Sequence, residues 1–400
     1  MKTLTPAFAL MQGAVWAACG SIYGYSSVYL LSCGLSNTAI GLLLGGTIGL
    51  CFLCQMLAGE ALNRRGRRAL RTFLTGCALC MAGLCLLLFF LPPGGASVPL
   101  FLAVCLLIQL LPAIINSAGM YEVQLEAALN IGVGRGAGSL GYAVCTVAVG
   151  RLLETGLKGM FAAGILLSAA LAAGSLWFYR RAALRPEDTP APAPKGGADP
   201  RFLQSYPRYA FFLTGVVLVM LGHTFVSNYL YQIVDFKGGD ELDTGIAGAV
   251  AAVSELPALF AFSWLIRRRW CGLWLKLSGG VLLVKLLATL WAPSVPGVWA
   301  SELLQAGYGL LTISGIYYAG QAVPHRDAIG AQAYLGAAST LGMFFSLLLG
   351  GAVIDRLGVP SLLLAGALSA GAGLLILCRT VRRPREGQGG SAERFTYQEG

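Results

Sequence analysis

The chain has 400 residues, of which 56% are hydrophobic and 12% are charged, and its formal net charge is +10. Soluble globular chains carry about a quarter charged residues, so the composition excludes that class and indicates a protein that crosses a membrane many times. The cations lie in short clusters between apolar runs, where they set membrane topology. The positive charge therefore does not predict a nucleic-acid partner.

Twelve apolar runs are each long enough to cross a bilayer, which takes about twenty such residues. The sequence therefore predicts an all-α integral membrane protein with twelve transmembrane helices in two sets of six. We expect the first set near 7–31, 38–61, 70–91, 98–125, 133–156 and 158–180. We expect the second set near 208–234, 243–266, 272–292, 297–323, 329–353 and 358–379.

Composition divides the chain into four predicted segments. Residues 1–180 and 208–380 are two six-helix halves, and 181–207 is a polar linker rich in Pro, Gly and charge. Residues 381–400 are polar, and we expect them to be a disordered tail.

The two halves resemble each other in sequence. A shift of 201 positions places the fifth predicted helix on the eleventh, so that Gly150 meets Gly351 and Glu154 meets Asp355. This register predicts an internal repeat of six helices.

Arginine and lysine clusters follow the second, sixth, eighth and twelfth predicted helices. Such clusters are typical of cytoplasmic loops. We therefore expect a multi-pass protein of the cell inner (plasma) membrane with both termini in the cytoplasm. The clusters include Arg64, Arg65, Arg67, Arg68, Arg71, Arg180, Arg181, Arg185, Lys195, Arg267, Arg268, Arg269 and Arg379.

Eleven cysteines lie almost entirely within apolar runs. Two pairs have C-x-x-C spacing, Cys51/Cys54 and Cys77/Cys80, but no histidine lies near them to complete a zinc site. We expect these cysteines to be small apolar residues, and we predict neither a metal site nor a catalytic residue.

The stretch "GEALNRRGRR" follows the second predicted helix. It resembles the loop motif Gly-x-x-x-Asp-Arg-x-Gly-Arg-Arg/Lys of the major facilitator superfamily. The resemblance implies a major facilitator fold, in which this loop locks the cytoplasmic ends of the two halves. It also implies a weaker lock, because Asn63 stands where the family has an aspartate. The matching residues are Gly59, Arg64, Gly66, Arg67 and Arg68.

The start of the fifth predicted helix reads Arg135-x-x-Gly138-x-x-Gly141-Tyr142. This pattern resembles the fifth helix of the lactose-permease-like sugar and nucleoside proton symporters. The resemblance implies that an acid of the fourth helix pairs with Arg135 and binds substrate hydroxyls. It also implies that Tyr142 stacks on the substrate ring in place of the family's tryptophan.

The two acids of the fourth helix are Glu122 and Glu126. They are one turn apart and share a face, and Arg135 offers a planar fork of donors suited to a carboxylate or to hydroxyls. The alternative that all three charges lie in the headgroup zone stays open, because the apolar run before Glu122 is already long enough to cross. Four glycines would let the fifth helix pack closely on a neighbour: Gly132, Gly134, Gly136 and Gly138.

Four ionisable residues interrupt the apolar runs of the second set. A charge near the bilayer centre costs about 2.5–3.5 kcal/mol, so such residues should face a cavity or each other. We interpret Glu255, His223, Lys285 and Glu302 as proton-coupling residues. The alternatives are a structural carboxyl at Glu255, a hydrogen-bonded core histidine at His223 and an interface-seeking side chain at Lys285.

Two uncharged polar residues complete the predicted site. Asn228 continues the polar stripe of the seventh helix, and Tyr23 lies in a polar stretch of the first helix. In this architecture both helices can line the central cavity, so we include both residues among the substrate-binding candidates.

The sequence thus predicts a secondary active transporter that works by alternating access, without a cofactor and driven by the proton gradient. No phosphate-binding loop of the G-x-x-x-x-G-K-[ST] type is present, which argues against ATP-driven pumping. We favour uptake of a sugar or nucleoside-like small molecule by a monomer in the lipid bilayer. A proton-coupled exporter of hydrophobic or drug-like compounds is the alternative, and a non-transporting sensor or a membrane enzyme is a different class.

Overall fold

Every regular element that the computed structural model describes is a helix. The structure describes residues 3–124, 128–182, 202–324 and 327–381. We call the residues up to 182 the first half and those from 202 the second half. The first half contains α1 (Thr5–Ala18), α2 (Ser26–Ser32), α3 (Asn37–Phe90), α4 (Val98–Gln124), α5 (Ile131–Leu153) and α6 (Lys158–Ala182). The second half contains α7 (Phe202–Ser205), α8 (Pro207–Asn228), α9 (Leu230–Phe236), α10 (Glu241–Arg268), α11 (Cys271–Trp291), α12 (Val295–Glu302), α13 (Ala306–Ala322) and α14 (Ala328–Thr380).

Two of the helices each cover a pair of predicted spans. Helix α3 turns at Gly66 (φ 71°) and α14 turns at Gly358 (φ 80°). Both angles are positive, and glycine adopts them without the strain that a Cβ would cause. Within the described residues, nine helical stretches are long and apolar enough to cross a membrane. The predicted all-α membrane fold is confirmed, and the count of twelve spans stays a prediction.

Three of the predicted continuous helices are interrupted. A π-helical segment, Cys19–Tyr23, separates α1 from α2, and Tyr229 separates α8 from α9. A 3₁₀ turn, Leu303–Gln305, separates α12 from α13. None of these segments contains a proline, which is why the sequence predicted unbroken helices. At membrane depth, irregular backbone is tolerated where it is enclosed by protein or lines a cavity.

Each half has its own apolar core. The first half is built around one large cluster, which includes the buried rings of Phe8, Phe101, Phe161 and Phe178. The buried apolar residues of the second half form separate clusters, one around Phe212 and another around Leu286. The first cluster also includes Leu347 of α14, so its packing extends from one half to the other. Residues 183–201 of the predicted linker and 382–400 of the predicted tail lie outside the described residues.

The glycines of α5 bring it close to α1, although not through all four predicted positions. A methyl group at Gly134 would lie 2.5 Å from the ring of Phe8, and one at Gly138 would lie 2.6 Å from that of Trp16. A methyl group at Gly136 would meet nothing within 4 Å. Gly136 therefore faces away from this contact.

The two ends of the helix bundle differ in charge and in how the halves meet. Hydrogen bonds between described residues of the two halves lie at one end only, where α5 ends and α10 begins. The structure is therefore closed at this end. We call it the acidic end, after Glu154, Asp240, Glu241, Asp243 and Asp355. We call the opposite end the basic end, after Arg67, Arg68, Arg180, Arg181, Arg267, Arg268, Arg269 and Arg379.

Candidate functional site

A chain of hydrogen bonds joins four polar side chains inside the second half. Lys285 of α11 donates to Glu302 Oε2 and to Gln305 Oε1, each at 2.6 Å. Gln305 Nε2 donates in turn to Glu255 Oε1 at 2.8 Å. Lys285 is 1% exposed and Glu302 is 2% exposed, so the lysine does not reach the membrane interface. A buried ion pair persists only with good geometry and additional hydrogen bonds, and Gln305 supplies one of them.

The break in the tenth predicted helix arranges this network. Glu302 ends α12, and Gln305 ends the 3₁₀ turn that follows. Side chains three residues apart eclipse each other in a 3₁₀ turn, so both can face Lys285. Ser254 of α10 donates its hydroxyl to the Glu302 carbonyl at 3.2 Å and holds the turn against α10.

Two buried polar atoms beside the ion pair lack a hydrogen bond. His223 is 3% exposed, and its ring stacks on Tyr308 with 4.8 Å between centroids and 20° between planes. His223 Nδ1 and Glu302 Oε1 have no hydrogen-bond partner among the described residues. Buried polar atoms are nearly always bonded, so these two are the groups of the network that a water or a ligand would bind once the site opens.

The first half faces this network through α5. Arg135 and Tyr142 are seven residues apart, about two helical turns, and therefore lie on one face. Arg135 is exposed, and it lies close enough to Glu255 and Tyr308 for its charge to act on both. Glu255 and Glu302 likewise lie within electrostatic range of Tyr142. The structure thus gathers six predicted residues around the gap where α5 faces the second half, with the last three of them buried behind Glu255: Arg135, Tyr142, Glu255, His223, Lys285 and Glu302.

Comparison with known proteins agrees with this architecture. The model of the MFS_1 like family matches residues 14–365. The chain belongs to this family of the major facilitator superfamily. The maltose permease of Geobacillus stearothermophilus is 27% identical over 396 residues, which cover 96% of this chain and 95% of that protein. The superfamily that the loop motif predicted is confirmed.

Solved structures of other transporters share the fold of this facilitator. The nucleoside transporter NupG has a TM-score of 0.75 at 14% identity, covering 95% of this chain and 98% of that chain. A bacterial homologue of the iron transporter ferroportin, solved in an inward-facing state, has a TM-score of 0.69 at 14% identity, covering 95% and 99%. The family match makes the protein a secondary transporter and not an enzyme.

A second buried ion pair joins the loop motif of this facilitator to α4. Arg67 donates to Glu122 through Nε at 2.6 Å and through a terminal nitrogen at 2.8 Å. Glu122 is fully buried, and the two-pronged contact satisfies both of its oxygens. The resemblance implied that an acid such as Glu122 pairs with Arg135. For Glu122 the structure corrects that pairing, because the turn at Gly66 directs Arg67 toward α4; a pairing of Arg135 with Glu126 stays a prediction.

The remaining residues of the loop motif lie along α3. Gly59, Asn63 and Arg64 precede the turn at Gly66, and the exposed Arg68 follows it. Glu126 lies outside the described residues.

Asn228 and Tyr23 occupy different environments. Asn228 Nδ2 donates to Ser346 Oγ at 2.7 Å, so its amide ties α8 to α14. Tyr23 ends the π-helical segment, and its hydroxyl is buried without a hydrogen-bond partner among the described residues. Of the two, only Tyr23 retains a polar atom that is unbonded among the described residues.

Several polar residues of the gap were missed by the sequence analysis. Gln305 bridges Glu255 to the ion pair, and Gln12 Nε2 donates to Asn116 Oδ1 at 2.7 Å. Trp16 Nε1 donates to Gln12 Oε1 at 3.2 Å. These side chains carry no charge, so they did not stand out from the apolar runs. An amide within a membrane helix is nevertheless a signal, because it must find a hydrogen-bond partner.

Proposed function

We propose that this facilitator carries a neutral, hydroxyl-rich solute, a sugar or a nucleoside-like molecule, into the cytoplasm together with protons. The observation that carries the proposal is the bonded chain from Glu255 through Gln305 to the buried Lys285–Glu302 pair. Glu255 is half-buried at the gap, whereas the ion pair is sealed behind it. A carboxyl in this position can exchange a proton with the gap while it contacts a fixed network of charges.

Proton coupling follows from the position of Glu255 relative to Arg135. The two residues belong to different halves, and their opposite charges attract across the gap. When Glu255 takes up a proton, this attraction is lost, and the balance between conformations shifts. The charge of Glu255 therefore biases how closely the halves approach each other.

A neutral solute matches the charges around the gap. Arg135 and Lys285 contribute two positive charges, and Glu255 and Glu302 contribute two negative charges. While Glu255 is ionised, a charged solute would leave an uncompensated charge within the membrane, whereas a neutral one would not. The related maltose permease and nucleoside transporter, by their names, act on solutes rich in hydroxyl groups.

The orientation in the membrane is part of the proposal. The protein lies in the cell inner membrane. Cytoplasmic loops are rich in arginine and lysine, so the basic end and both termini face the cytoplasm. The closed acidic end then faces outward. We expect a monomer to suffice, because one chain contributes every residue of the gap.

Export of hydrophobic compounds is the second candidate function. A cavity of ≈ 340 Å³ lies between α8, α11, α13 and α14. Apolar side chains dominate it, and an apolar compound would fit there better than a sugar. The lining residues include Val216, Met220, Leu275, Leu311, Ile316 and Leu335, with Thr312, Gln332 and Ser339 as the polar ones.

Transport in lipid vesicles tests the proposal. A thermal-shift panel of sugars, nucleosides and apolar cations on purified protein first identifies a stabilising solute. We expect that solute to accumulate in proteoliposomes along an imposed proton gradient. We expect Glu255→Gln to abolish accumulation, because glutamine cannot take up a proton. We expect the variant to retain exchange of labelled solute at equal concentrations, because the solute-binding site remains.

Glu154→Gln is the matched control. Glu154 is also a carboxylate, but it is exposed and pairs with Arg151 at 2.7 Å, so its loss should leave accumulation unchanged. Solute movement against the proton gradient would instead establish export. Proton coupling through Glu255 would be contradicted if accumulation did not depend on the proton gradient, or if Glu255→Gln still accumulated the solute.

A further inference from the structure

Trp16 lies on the side of α1 that opens to the gap. At 100° per residue, it is about 40° from Gln12 and about 60° from Gly13 around the helix axis. Gln12 contacts Asn116 of α4, and a methyl group at Gly13 would lie 3.5 Å from the Ala137 carbonyl of α5. The indole therefore projects between α4 and α5, and 38% of Trp16 is exposed.

The polar groups around Trp16 indicate that its exposed face borders the gap and not the acyl chains. Asn116 is exposed although it lies within the apolar helix α4; Gln12 bonds its Oδ1, but the Nδ2 donors would find no acceptor among acyl chains. Arg135 is also exposed, and it precedes by three residues Gly138, which makes room for the indole. Trp16 thus borders the same gap as Arg135.

Hydrogen bonds fix the orientation of the indole. Trp16 Nε1 donates to Gln12 Oε1 at 3.2 Å, and Gln12 is itself held by Asn116 at 2.7 Å. Gln12 is 1% exposed, so this support is sealed from solvent. A ring held in one orientation, with one face open, needs little ordering when it binds a flat ligand.

We propose that Trp16 is the platform on which a ring of the solute stacks, while Arg135 and Asn116 bind hydroxyl groups at the edge of that ring. The inference rests on the proposed function and specifies its substrate: a solute with a flat or chair-like ring, such as a pyranose or a nucleobase. Aromatic stacking suits the weakly polar faces of such rings, and the polar edge of the same ring suits a guanidinium and an amide.

Tyr142 is a poorer platform than Trp16 in this conformation. Its ring carbon Cδ2 would lie 3.3 Å from a methyl group at Gly20, and its Cε1 would lie 3.8 Å from one at Gly248. The first glycine belongs to the π-helical segment and the second to α10, so the ring is held between the two halves. The stacking role that the resemblance gave to Tyr142 passes to Trp16.

Binding of maltose and of uridine to purified full-length protein tests the inference. Trp16→Phe keeps an aromatic face, and Trp16→Leu removes it. We expect Trp16→Phe to bind the preferred probe within about threefold of the wild type. We expect Trp16→Leu to weaken binding about tenfold or more, on the scale of one lost ring stack. Trp291→Leu is the control, because Trp291 is 73% exposed and lies at the end of α11.

Intrinsic fluorescence supplies a second measurement that does not depend on the folding of Trp16→Leu. The bound ring should change the tryptophan emission of the wild type, and Trp16→Phe should lose that change while it still binds. Equal affinities in all variants, or a fluorescence change that survives Trp16→Phe, would overturn the inference and leave the proposed function standing. If neither probe nor any other sugar or nucleoside of the panel stabilises the wild type, the proposed function fails and this inference fails with it.

Discussion

Two contacts close the acidic end, one between α10 and α5 and the other between α3 and α14. In the first, Tyr25 donates its hydroxyl to the Thr146 carbonyl of α5 at 2.7 Å. A methyl group at Gly245 of α10 would lie 2.5 Å from that hydroxyl. The absence of a side chain at Gly245 therefore lets the hydroxyl approach α10 of the other half.

The second contact repeats the first with the halves exchanged. Tyr229, 204 positions after Tyr25, donates its hydroxyl to the Leu347 carbonyl of α14 at 2.8 Å. The Tyr229 hydroxyl packs on Gly41 of α3, where a methyl group would lie 2.7 Å from the hydroxyl oxygen. Gly41 is in turn 204 positions before Gly245. The internal repeat that the sequence suggested is thus visible as a pair of matching side-chain contacts.

The two contacts differ where α3 and α10 begin. The first turn of α3 contains no acid, and Ser36 Oγ accepts only the amide of Ala39, at 3.2 Å. Asp355 of α14 accepts the amides of Asn37 at 3.2 Å and Thr38 at 2.7 Å, together with the side chains of both residues. A carboxylate of the second half therefore completes the first turn of a helix of the first half.

Helix α10 supplies its own acids instead. Asp240 Oδ1 accepts the amide of Asp243 at 2.9 Å, and Asp243 accepts the amide of Asp240 at 3.2 Å. Glu241 adds a further acid to the first turn. The repeat equivalent of Asp355 is Glu154, which turns away and pairs with Arg151.

The difference has an electrostatic cause. A helix N-terminus attracts negative charge, and a helix that already carries acids in its first turn repels a further carboxylate. The α3–α14 contact is therefore a charged cap made between the halves. The α10–α5 contact depends on glycine packing and on the hydroxyl of Tyr25.

The largest effect should follow from filling the glycines of the two contacts. A Cβ at Gly351 would overlap the Asn37 carbonyl, whereas one at Gly150 would lie 2.5 Å from the Tyr25 hydroxyl and 2.7 Å from the Glu241 carbonyl. We expect Gly351→Val to destabilise the closed conformation relative to the open one by about 3 kcal/mol or more. This change lowers the ratio of closed to open molecules on the order of a hundredfold. Gly150→Val should destabilise the closed conformation by less than Gly351→Val.

Hydrogen–deuterium exchange of peptides covering 36–50 and 240–254 measures this effect. These peptides contain the first turns of α3 and α10, which should exchange faster when the acidic end opens. Gly46→Val is the control, since nothing lies within 4 Å of a Cβ at that position of α3. Equal exchange in Gly351→Val and Gly46→Val would contradict a tight α3–α14 contact.

A smaller effect should follow from removing the charged cap. Asp355→Asn retains one oxygen but presents an amide group to the N–H donors of α3. We expect it to weaken closure by about 0.5–2 kcal/mol, as for a lost helix cap. Faster exchange at Asn37 and Thr38 would report the change. Glu154→Gln removes the equivalent acid and should change little, because an exposed ion pair contributes about 0–1 kcal/mol.

The electrostatic explanation would be wrong if Glu154→Gln accelerated exchange at the acidic end more than Asp355→Asn. Such a result would mean that the exposed Glu154–Arg151 pair, and not the cap, holds the acidic end closed.

Much of this fold can be predicted from the sequence, because the bilayer requires long apolar runs and hydropathy reports them. The charged part of the site can be predicted for the same reason. Glu255 and Lys285 stand out within apolar helices because isolated charges there are costly.

The sequence does not reveal which residues meet. The partner of Glu122 is Arg67, and this depends on the turn at Gly66 and not on any spacing along α4. Gln305 and Trp16 were missed because their roles come from a helix break and from a position between two helices. Both depend on tertiary packing, for which an uncharged side chain gives no signal.

The smallest effect should separate the two tyrosines. Each forms one hydroxyl–carbonyl bond within its own half, but the hydroxyl of Tyr25 also lies 3.1 Å from the Glu241 carbonyl of the other half. Its single proton is therefore shared across the contact. We expect Tyr25→Phe to weaken the α10–α5 contact by about 1 kcal/mol, the value of one hydrogen bond. Faster exchange of peptide 240–254 in Tyr25→Phe, and unchanged exchange of that peptide in Tyr229→Phe, would show that Tyr25 joins the halves. If both variants change it equally, the hydroxyl of Tyr25 acts only within its own half, and glycine packing alone holds the α10–α5 contact.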